Sequence, residues 1–182
     1  MYILILTLIK TEEKTMEKID TKEFKNIKNE MNFLCKPVIK GSSNIPKIYD
    51  NHVLNDGKYW YATDGSRLHK IESGPDHFGI WKVIKNTKIR TILEKTDKQV
   101  NEFPDMKSIF PNTSDAKRVA CEYAYPERTY AKIIRTMDNN TLNFHFLEDV
   151  LCDTFTAFIV SDTDPIVFEN GTKTALIMPM RI

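Results

Sequence analysis

The chain has 182 residues, of which 41% are hydrophobic and 28% charged, and its formal net charge is +1. This is the composition of an ordinary globular protein that is long enough to bury a core. The near-neutral charge excludes a global bias toward nucleic acid or membrane, so any basic surface must be local. The three cysteines, Cys35, Cys121 and Cys152, are far apart and form no CxxC pair, which argues against a disulfide framework or a zinc site and fits a reducing cytoplasm.

The N-terminal stretch MYILILTLIK is apolar, but it is far shorter than the roughly 20 residues that a membrane-spanning helix needs. It also lacks the basic start of a signal peptide. We therefore expect no membrane segment and a cytoplasmic protein. Residues 1–15 are interpreted as an N-terminal extension, with either an added strand or a disordered tail as its structure, and Met16 is an alternative start.

The first folded unit is predicted to begin near residue 16 with a strand and a helix. Apolar residues spaced three or four apart over residues 22–34 predict the helix, with Thr21 as its N-cap. Its apolar stripe comprises Phe24, Ile27, Met31 and Leu34. Another face carries Lys22, Lys25 and Lys28. Three short strands follow, KIYDNHVLND, KYWYATD and SRLHKIES, which are joined by Asn-Asp-Gly and Asp-Gly turns. The unit is βαβββ.

A second unit of the same order is predicted at the end of the chain. TLNFHFLEDVLCD passes from alternation into a short helix, and the strands TFTAFIVSD, PIVFEN and TALIMPM follow. The repetition indicates an internal duplication. We assign residues 16–182 to one domain, with repeat one at about 16–97, a connector at about 98–138 and repeat two at about 139–182.

The segment between the two units has a less distinct pattern of apolar residues, so its secondary structure is harder to predict. GIWKVIKN predicts a strand, and KIRTILEK fits either a strand or a helix. PERTYAKIIRTM predicts a helix that has Pro126 in its first turn.

No catalytic pattern is present in the sequence. It has no glycine-rich phosphate loop, no GxSxG or HExxH motif, and no cysteine beside a histidine. The four histidines are scattered, which favours structural or surface roles over metal ligation. We therefore predict no enzymatic activity, no catalytic residues, no metal site and no cofactor.

Four stretches of the sequence resemble one protein family. The hairpin tip ATDGSRL resembles the Ala-Thr-Asp-Gly-His-Arg-Leu stretch of bacterial DNA polymerase sliding clamps, the β subunit of DNA polymerase III. FPDMKSIFP, LNFHFLEDVL and the terminal IMPMRI are similar to further clamp segments and follow in the family's order. Together they cover under a fifth of the chain. Ser66 and Ser108 depart from the family's pattern, which often has His and a basic residue at these positions.

The resemblance implies an α+β, DNA-clamp-like fold with two βαβββ repeats, helices on one face and antiparallel sheets on the other. The helices at residues 22–34 and about 144–151 are expected side by side on that face. In the family the four stretches form a cleft in which DNA polymerase and other clamp-binding proteins insert a short peptide. The positions that carry over to this cleft are Thr63, Gly65, Arg67, Leu68, Pro104, Asn143, Phe146, Met178, Pro179, Met180 and Arg181.

Each residue type suits such a cleft. Gly65 permits a tight turn and close backbone approach, and Leu68 with the methionines supplies an adaptable apolar floor. Arg67 and Arg181 can bond peptide carbonyls or a carboxylate. The alternative is that Leu68 and the other apolar members belong to the core and that Asp64-Gly65 is simply a turn.

Two functions follow from the resemblance. The first is a sliding-clamp-like processivity factor for DNA replication, which encircles double-stranded DNA non-specifically as a homo-oligomeric ring. In that case Lys22, Lys25 and Lys28 face the phosphates. The second is a monomeric clamp-like interaction module, which recruits or competes for clamp-binding proteins without encircling DNA. The lysines are then plain solvated surface.

Overall fold

A computed structural model describes residues 17–22, 27–39, 51–72, 77–137, 140–151 and 153–181. The described helices are α1 (Lys28–Leu34), α2 (Lys36–Ile39), α3 (Pro126–Thr136) and α4 (Phe144–Val150). The strands of the first half are β1 (Lys18–Asp20), β2 (His52–Asn55), β3 (Tyr59–Thr63), β4 (Arg67–Glu72), β5 (Gly79–Thr87) and β6 (Arg90–Lys95). Those of the second half are β7 (Lys117–Ala120), β8 (Asn140–Thr141), β9 (Thr156–Ile159), β10 (Ile166–Asn170), β11 (Lys173–Ile177) and β12 (Met180–Arg181).

Ten of these strands form one antiparallel sheet in the order β1-β6-β5-β2-β3-β4-β11-β10-β9-β7. The order is symmetric about the β4–β11 pair, because β2, β3 and β4 on one side mirror β9, β10 and β11 on the other. The predicted α+β fold class is therefore confirmed, with β2–β4 of the first unit and β9–β11 of the second joined in a continuous sheet, whereas β8 and β12 pair in a separate two-stranded sheet. KIRTILEK, which fitted either a strand or a helix, forms the strand β6.

The two faces of the sheet are covered differently. On one face, Trp60, Ala62 and Ile177 are buried in a core that also contains Phe33 of α1 and Leu147 of α4. Both of these helices thus pack on the same face, as expected. We call it the helix face.

The opposite face is covered by the connector, residues 98–110, which contains a short 3-10 helix at Val100–Glu102. Leu54, Tyr61, Leu68 and Leu176 of the sheet form a smaller core there with Met106 of the connector. We call it the connector face. Successive residues of a strand point to opposite faces, so neighbouring residues in β3, β4 and β11 are buried in different cores.

The first helix is shorter than predicted. Lys22 lies in a turn after β1, residues 23–26 are outside the described residues, and α1 begins at Lys28. Thr21 is buried, and its hydroxyl accepts the Thr91 backbone N–H of β6 at 2.8 Å. The predicted lysine face is thus only partly described: Lys28 is on the helix, Lys22 is not, and Lys25 lies outside the described residues.

The predicted helix over PERTYAKIIRTM is confirmed as α3, which has Pro126 in its first turn and buries Thr129 and Ile133. Within the described ranges, no helix is long and apolar enough to cross a membrane. The same part of the chain holds no group of three or more His, Cys, Asp or Glu arranged to bind a metal ion.

Candidate functional site

The tip of the β3–β4 hairpin is a turn held by its own polar side chains. The Thr63 hydroxyl donates to the Arg67 carbonyl at 2.7 Å and accepts the Gly65 N–H at 3.0 Å. One oxygen of the Asp64 carboxylate accepts the backbone N–H groups of Ser66 and Arg67, both at 3.0 Å. This pattern of Thr and Asp side chains bonding to nearby backbone fixes the turn before any ligand is present.

Gly65 is required in this turn by its conformation. Its φ is +82°, in the left-handed region that other residues adopt only with strain. A Cβ added to Gly65 would meet no described atom within 4 Å. Among the described residues, the position therefore leaves open space at the tip and does not mark a close approach of two segments.

A cavity of about 120 Å³ lies beside this tip on the connector face. It is well above the roughly 10–15 Å³ that one water molecule needs. Six of the predicted cleft residues line it, and they are Thr63, Gly65, Arg67, Leu68, Pro104 and Met178. The hairpin, the connector and the chain after β11 thus meet at one site, which we call the tip cavity.

The tip cavity is lined mainly by apolar side chains. Leu68 and Met106 are each 2% exposed and form its floor, whereas Ile109 and Met178 are 38% and 41% exposed at its rim. An unbranched methionine and a partly exposed isoleucine can adjust to differently shaped apolar groups. The site is therefore suited to binding bulky apolar side chains.

Three lining residues were not predicted from the sequence: Met106, Ile109 and Leu176. Two of them lie within FPDMKSIFP, where only Pro104 was assigned to the cleft. Leu176 precedes Met178 by two residues, so the period of a strand places both on one side. Extending the alternation backward from Met178 would have identified it.

Arg67 lies beside the tip cavity, but its guanidinium is directed to the helix face. The side chain is 1% exposed, and its Nε and Nη1 donate to the carboxylates of Asp64 at 2.9 Å and Asp149 at 2.6 Å. Nη2 donates to the Lys36 carbonyl at 3.4 Å, and Cζ lies 4.4 Å from the centroid of the Phe146 ring. The guanidinium is buried and engaged within the chain, and the bonding of Arg67 to a peptide stays a prediction.

The other predicted cleft residues form a separate group near α4. Asn143 caps this helix, because its side chain accepts the His145 N–H at 3.0 Å. Phe146 packs on the Arg67 guanidinium, and the strand β12 places Met180 and Arg181 in register with β8. Met180 is exposed and Pro179 half-buried, and neither they nor Asn143 and Phe146 line the tip cavity.

The two groups are joined at the hairpin tip. The Met178 N–H donates to the Ser66 carbonyl at 2.9 Å, which continues the pairing of β4 with β11 beyond the end of the sheet. The chain then turns from the tip cavity to β12. The structure thus brings six predicted residues around one cavity and places the other five along the tail and α4.

His69 is next to this region on the helix face. It is buried, and its Nδ1–H donates to the Phe33 carbonyl at 2.7 Å while the two rings stack at 4.3 Å. Burial lowers the pKa of His69 to about 3, with the nearby Arg67 guanidinium acting in the same direction. The imidazole is therefore neutral at physiological pH and packs as part of the core.

The chain thus combines an antiparallel sheet, helices on one face of it and a connector on the other. The chain has the fold of bacterial DNA polymerase sliding clamps. It is similar to the clamp of Pseudomonas aeruginosa at a TM-score of 0.54 and 13% identity, over 91% of this chain and 66% of that one.

Two further clamp structures give the same result. The beta chain of DNA polymerase III from Streptococcus pneumoniae has a TM-score of 0.56 and 12% identity over 92% of this chain and 65% of its own. The Bacillus subtilis clamp has a TM-score of 0.56 and 14% identity over 94% and 65%. This chain thus spans about two thirds of the clamps that it matches. No protein-family model and no curated protein matches the sequence, so the similarity is one of fold.

Proposed function

We propose that this protein acts as a sliding-clamp-like factor in DNA replication, which holds DNA polymerase or another clamp-binding protein by a short linear peptide. The tip cavity is the observation that carries the proposal. It is formed by three segments that are distant in sequence, and its turn is held by internal hydrogen bonds. A preformed apolar site of this kind binds a ligand without a large ordering cost.

The expected affinity follows from the size of the site. One fully buried bulky side chain contributes about 1.5 to 3 kcal/mol before ordering costs. Two such side chains with a few backbone hydrogen bonds give a dissociation constant on the order of micromolar. Met178 and Ile109 at the rim would close over the second of them, because both are partly exposed in the structure.

The direct test is titration of the protein into a fluorescein-labelled peptide from the clamp-binding segment of a DNA polymerase, followed by fluorescence anisotropy. We expect saturable binding at micromolar concentration and competition by the unlabelled peptide. A peptide with its bulky apolar residues replaced by serine is the control and should not bind. Absence of binding at roughly a hundred micromolar, well above the expected constant, would reject the proposal.

Association with DNA is a separate part of the proposal. Among the described strands, β1 and β7 end the sheet, and each has one neighbour. Strands at the edge of a sheet present unpaired backbone groups to which another chain can pair. Repeated edge-to-edge contacts between copies would close a ring around double-stranded DNA, with Lys22, Lys25 and Lys28 as diffuse contacts to phosphates.

Light scattering and retention on closed circular DNA test this part. A ring predicts a mass of several copies and retention that decreases when the DNA is linearised. Replacing Lys22, Lys25 and Lys28 by Glu should weaken retention and flatten its salt dependence. A monomer that binds the peptide and is not retained on circular DNA would instead favour the interaction module.

A further inference from the structure

A second cavity lies beside the tip cavity on the connector face. Its volume is about 230 Å³, and Pro104 and Met106 line both cavities. The buried Met106 side chain therefore stands between them, with Leu68 on one side and Leu54 on the other. We call it the Asp56 pocket, after the carboxylate in its wall.

The Asp56 carboxylate is held in a fixed orientation by the turn before β3. Its Oδ1 accepts the backbone N–H groups of Lys58 at 2.9 Å and Tyr59 at 2.7 Å, and Oδ2 accepts the Tyr61 hydroxyl at 3.3 Å. Burial raises the pKa of Asp56, but these backbone bonds and the Lys107 ammonium outweigh it and lower the pKa overall. The pocket therefore presents a permanent negative charge at neutral pH.

The cation that meets this charge is held loosely. The Lys107 Nζ lies 3.3 Å from Asp56 Oδ2, but the Lys107 side chain is 70% exposed. Exposed ion pairs of this kind contribute about 0–1 kcal/mol, so a ligand can displace the ammonium at little cost. Asp105 also lines the pocket, whereas the Lys58 and Lys70 ammonium groups lie over the Tyr59 ring and do not line it.

We propose that the Asp56 pocket binds an arginine or lysine side chain of the same peptide whose apolar residues enter the tip cavity, an inference that rests on the proposed function. The aliphatic stem of such a residue packs on Leu54 and Phe103, and its charged end replaces Lys107 at Asp56. An acidic side chain would be repelled. An apolar one would cover the carboxylate without supplying a positive charge in place of Lys107, which is costly.

The spacing within the peptide follows from the sheet. Leu68 and Leu54 lie on β4 and β2, two strand spacings apart, and their partners on β3 are two residues apart, so about 12 Å separates them. An extended peptide advances about 3.3 Å per residue. The basic residue is therefore expected about three to four residues from the apolar anchor.

The test uses labelled peptides with a Leu-Phe anchor in a glycine-serine background and one guest residue placed two, three or four residues before or after it. Guest residues are Arg, Ala and Glu. For the wild type at low salt we expect one position at which Arg binds about five- to tenfold more tightly than Ala, with Glu weakest. The preference should shrink as salt is added.

Three variants test whether the preference for Arg over Ala depends on Asp56. Asp56→Asn keeps an oxygen for the Lys58 and Tyr59 N–H groups and should bind the Arg and Ala peptides equally. Lys107→Met leaves the turn untouched and removes the competing ammonium. It should increase the ratio of Arg-peptide to Ala-peptide affinity above that of the wild type. Glu127→Gln, an exposed acid on α3, is the control and should leave the ratio unchanged.

Equal binding of Arg and Ala peptides at every position, with the Ala peptides still bound, would overturn this inference and leave the tip cavity proposal intact. An Arg preference that persists in Asp56→Asn would also overturn it. Failure of every peptide to bind would reject the proposed function itself, and the inference with it.

Discussion

Adjacent residues of β4 point to opposite faces of the central sheet, and the two faces bury different kinds of side chain. On the helix face, Arg67 is inserted between two carboxylates and an aromatic ring, and His69 is buried as a neutral base. On the connector face, Leu68 forms the floor of an apolar cavity. One face is thus fixed by a polar network within the chain, and the other keeps space for a ligand.

The covering elements explain this difference. Helices α1 to α4 pack closely on their face because each presents an apolar stripe. The connector contributes single side chains, with Phe103 and Met106 buried and open space on both sides of Met106. A segment without a long regular element cannot fill such a surface evenly, so binding space remains where the cover is irregular.

Removing the Arg67 side chain should have the largest effect on stability. Arg67→Ala removes the buried guanidinium that bonds the carboxylates of Asp64 and Asp149, and breaking a buried ion pair in this way costs about 3–5 kcal/mol. Urea denaturation of the wild type and the variant measures the loss. Arg128→Ala is the matched control, because Arg128 is exposed and lies over the Tyr125 ring, and it should cost under about 1 kcal/mol. Similar losses for the two variants would contradict the contrast between the faces.

His69 should make stability depend on pH in the mildly acidic range. Its pKa is about 3 in the folded chain and about 6.5 when unfolded, so between these values the unfolded state binds more protons. The free energy of unfolding should therefore fall as pH drops below 6.5, by about 2 kcal/mol between pH 6.5 and 5.

Denaturation at several pH values tests this expectation. His69→Gln should flatten the slope between pH 6.5 and 5. His145→Gln should leave the slope unchanged, since the His145 side chain is 83% exposed. An identical slope in the wild type and in His69→Gln would show that this histidine is not buried neutral.

Gly65→Ala should have a smaller effect. Its φ of +82° strains any other residue, at a cost of about 1 kcal/mol, although the added methyl group meets no described atom. Gly171→Ala at the β10–β11 turn, with a φ of +53° and equally open space, is the matched comparison. Both variants should lose similar stability by thermal unfolding. Only Gly65→Ala should alter peptide affinity, because Gly65 lines the tip cavity.

Much of the fold could be predicted from the sequence because its signals are local. Turn residues mark the hairpins, and Pro126 marks the start of α3. The start of α1 could not be predicted from Thr21, because that side chain bonds β6, which is about 70 residues away in the chain. A threonine hydroxyl can cap a helix or bond a distant strand, and only the tertiary structure determines which of the two contacts forms.

The direction in which the Arg67 guanidinium points could likewise not be predicted from the sequence. A strand with one solvated face shows alternation, but β4 is covered on both faces and reads Arg, Leu, His, Lys, Ile. Resemblance to the clamp motif placed Arg67 and Leu68 in one site. Both residues line the tip cavity, but the carboxylates of Asp64 and Asp149 engage the guanidinium of Arg67 on the helix face.

The most direct measurement compares peptide binding by two isoleucine variants. Ile109 lies at the rim of the tip cavity and is 38% exposed, whereas Ile89 is 74% exposed at the β5–β6 turn. Either can be changed to Glu with little loss of stability, whereas Glu at the buried Leu68 would disrupt the core. Anisotropy titration with the polymerase-derived peptide, after equal thermal unfolding is confirmed, should show a loss of at least about tenfold for Ile109→Glu. Ile89→Glu should bind like the wild type. Equal affinity of the two variants would contradict the assignment of the tip cavity as the peptide site.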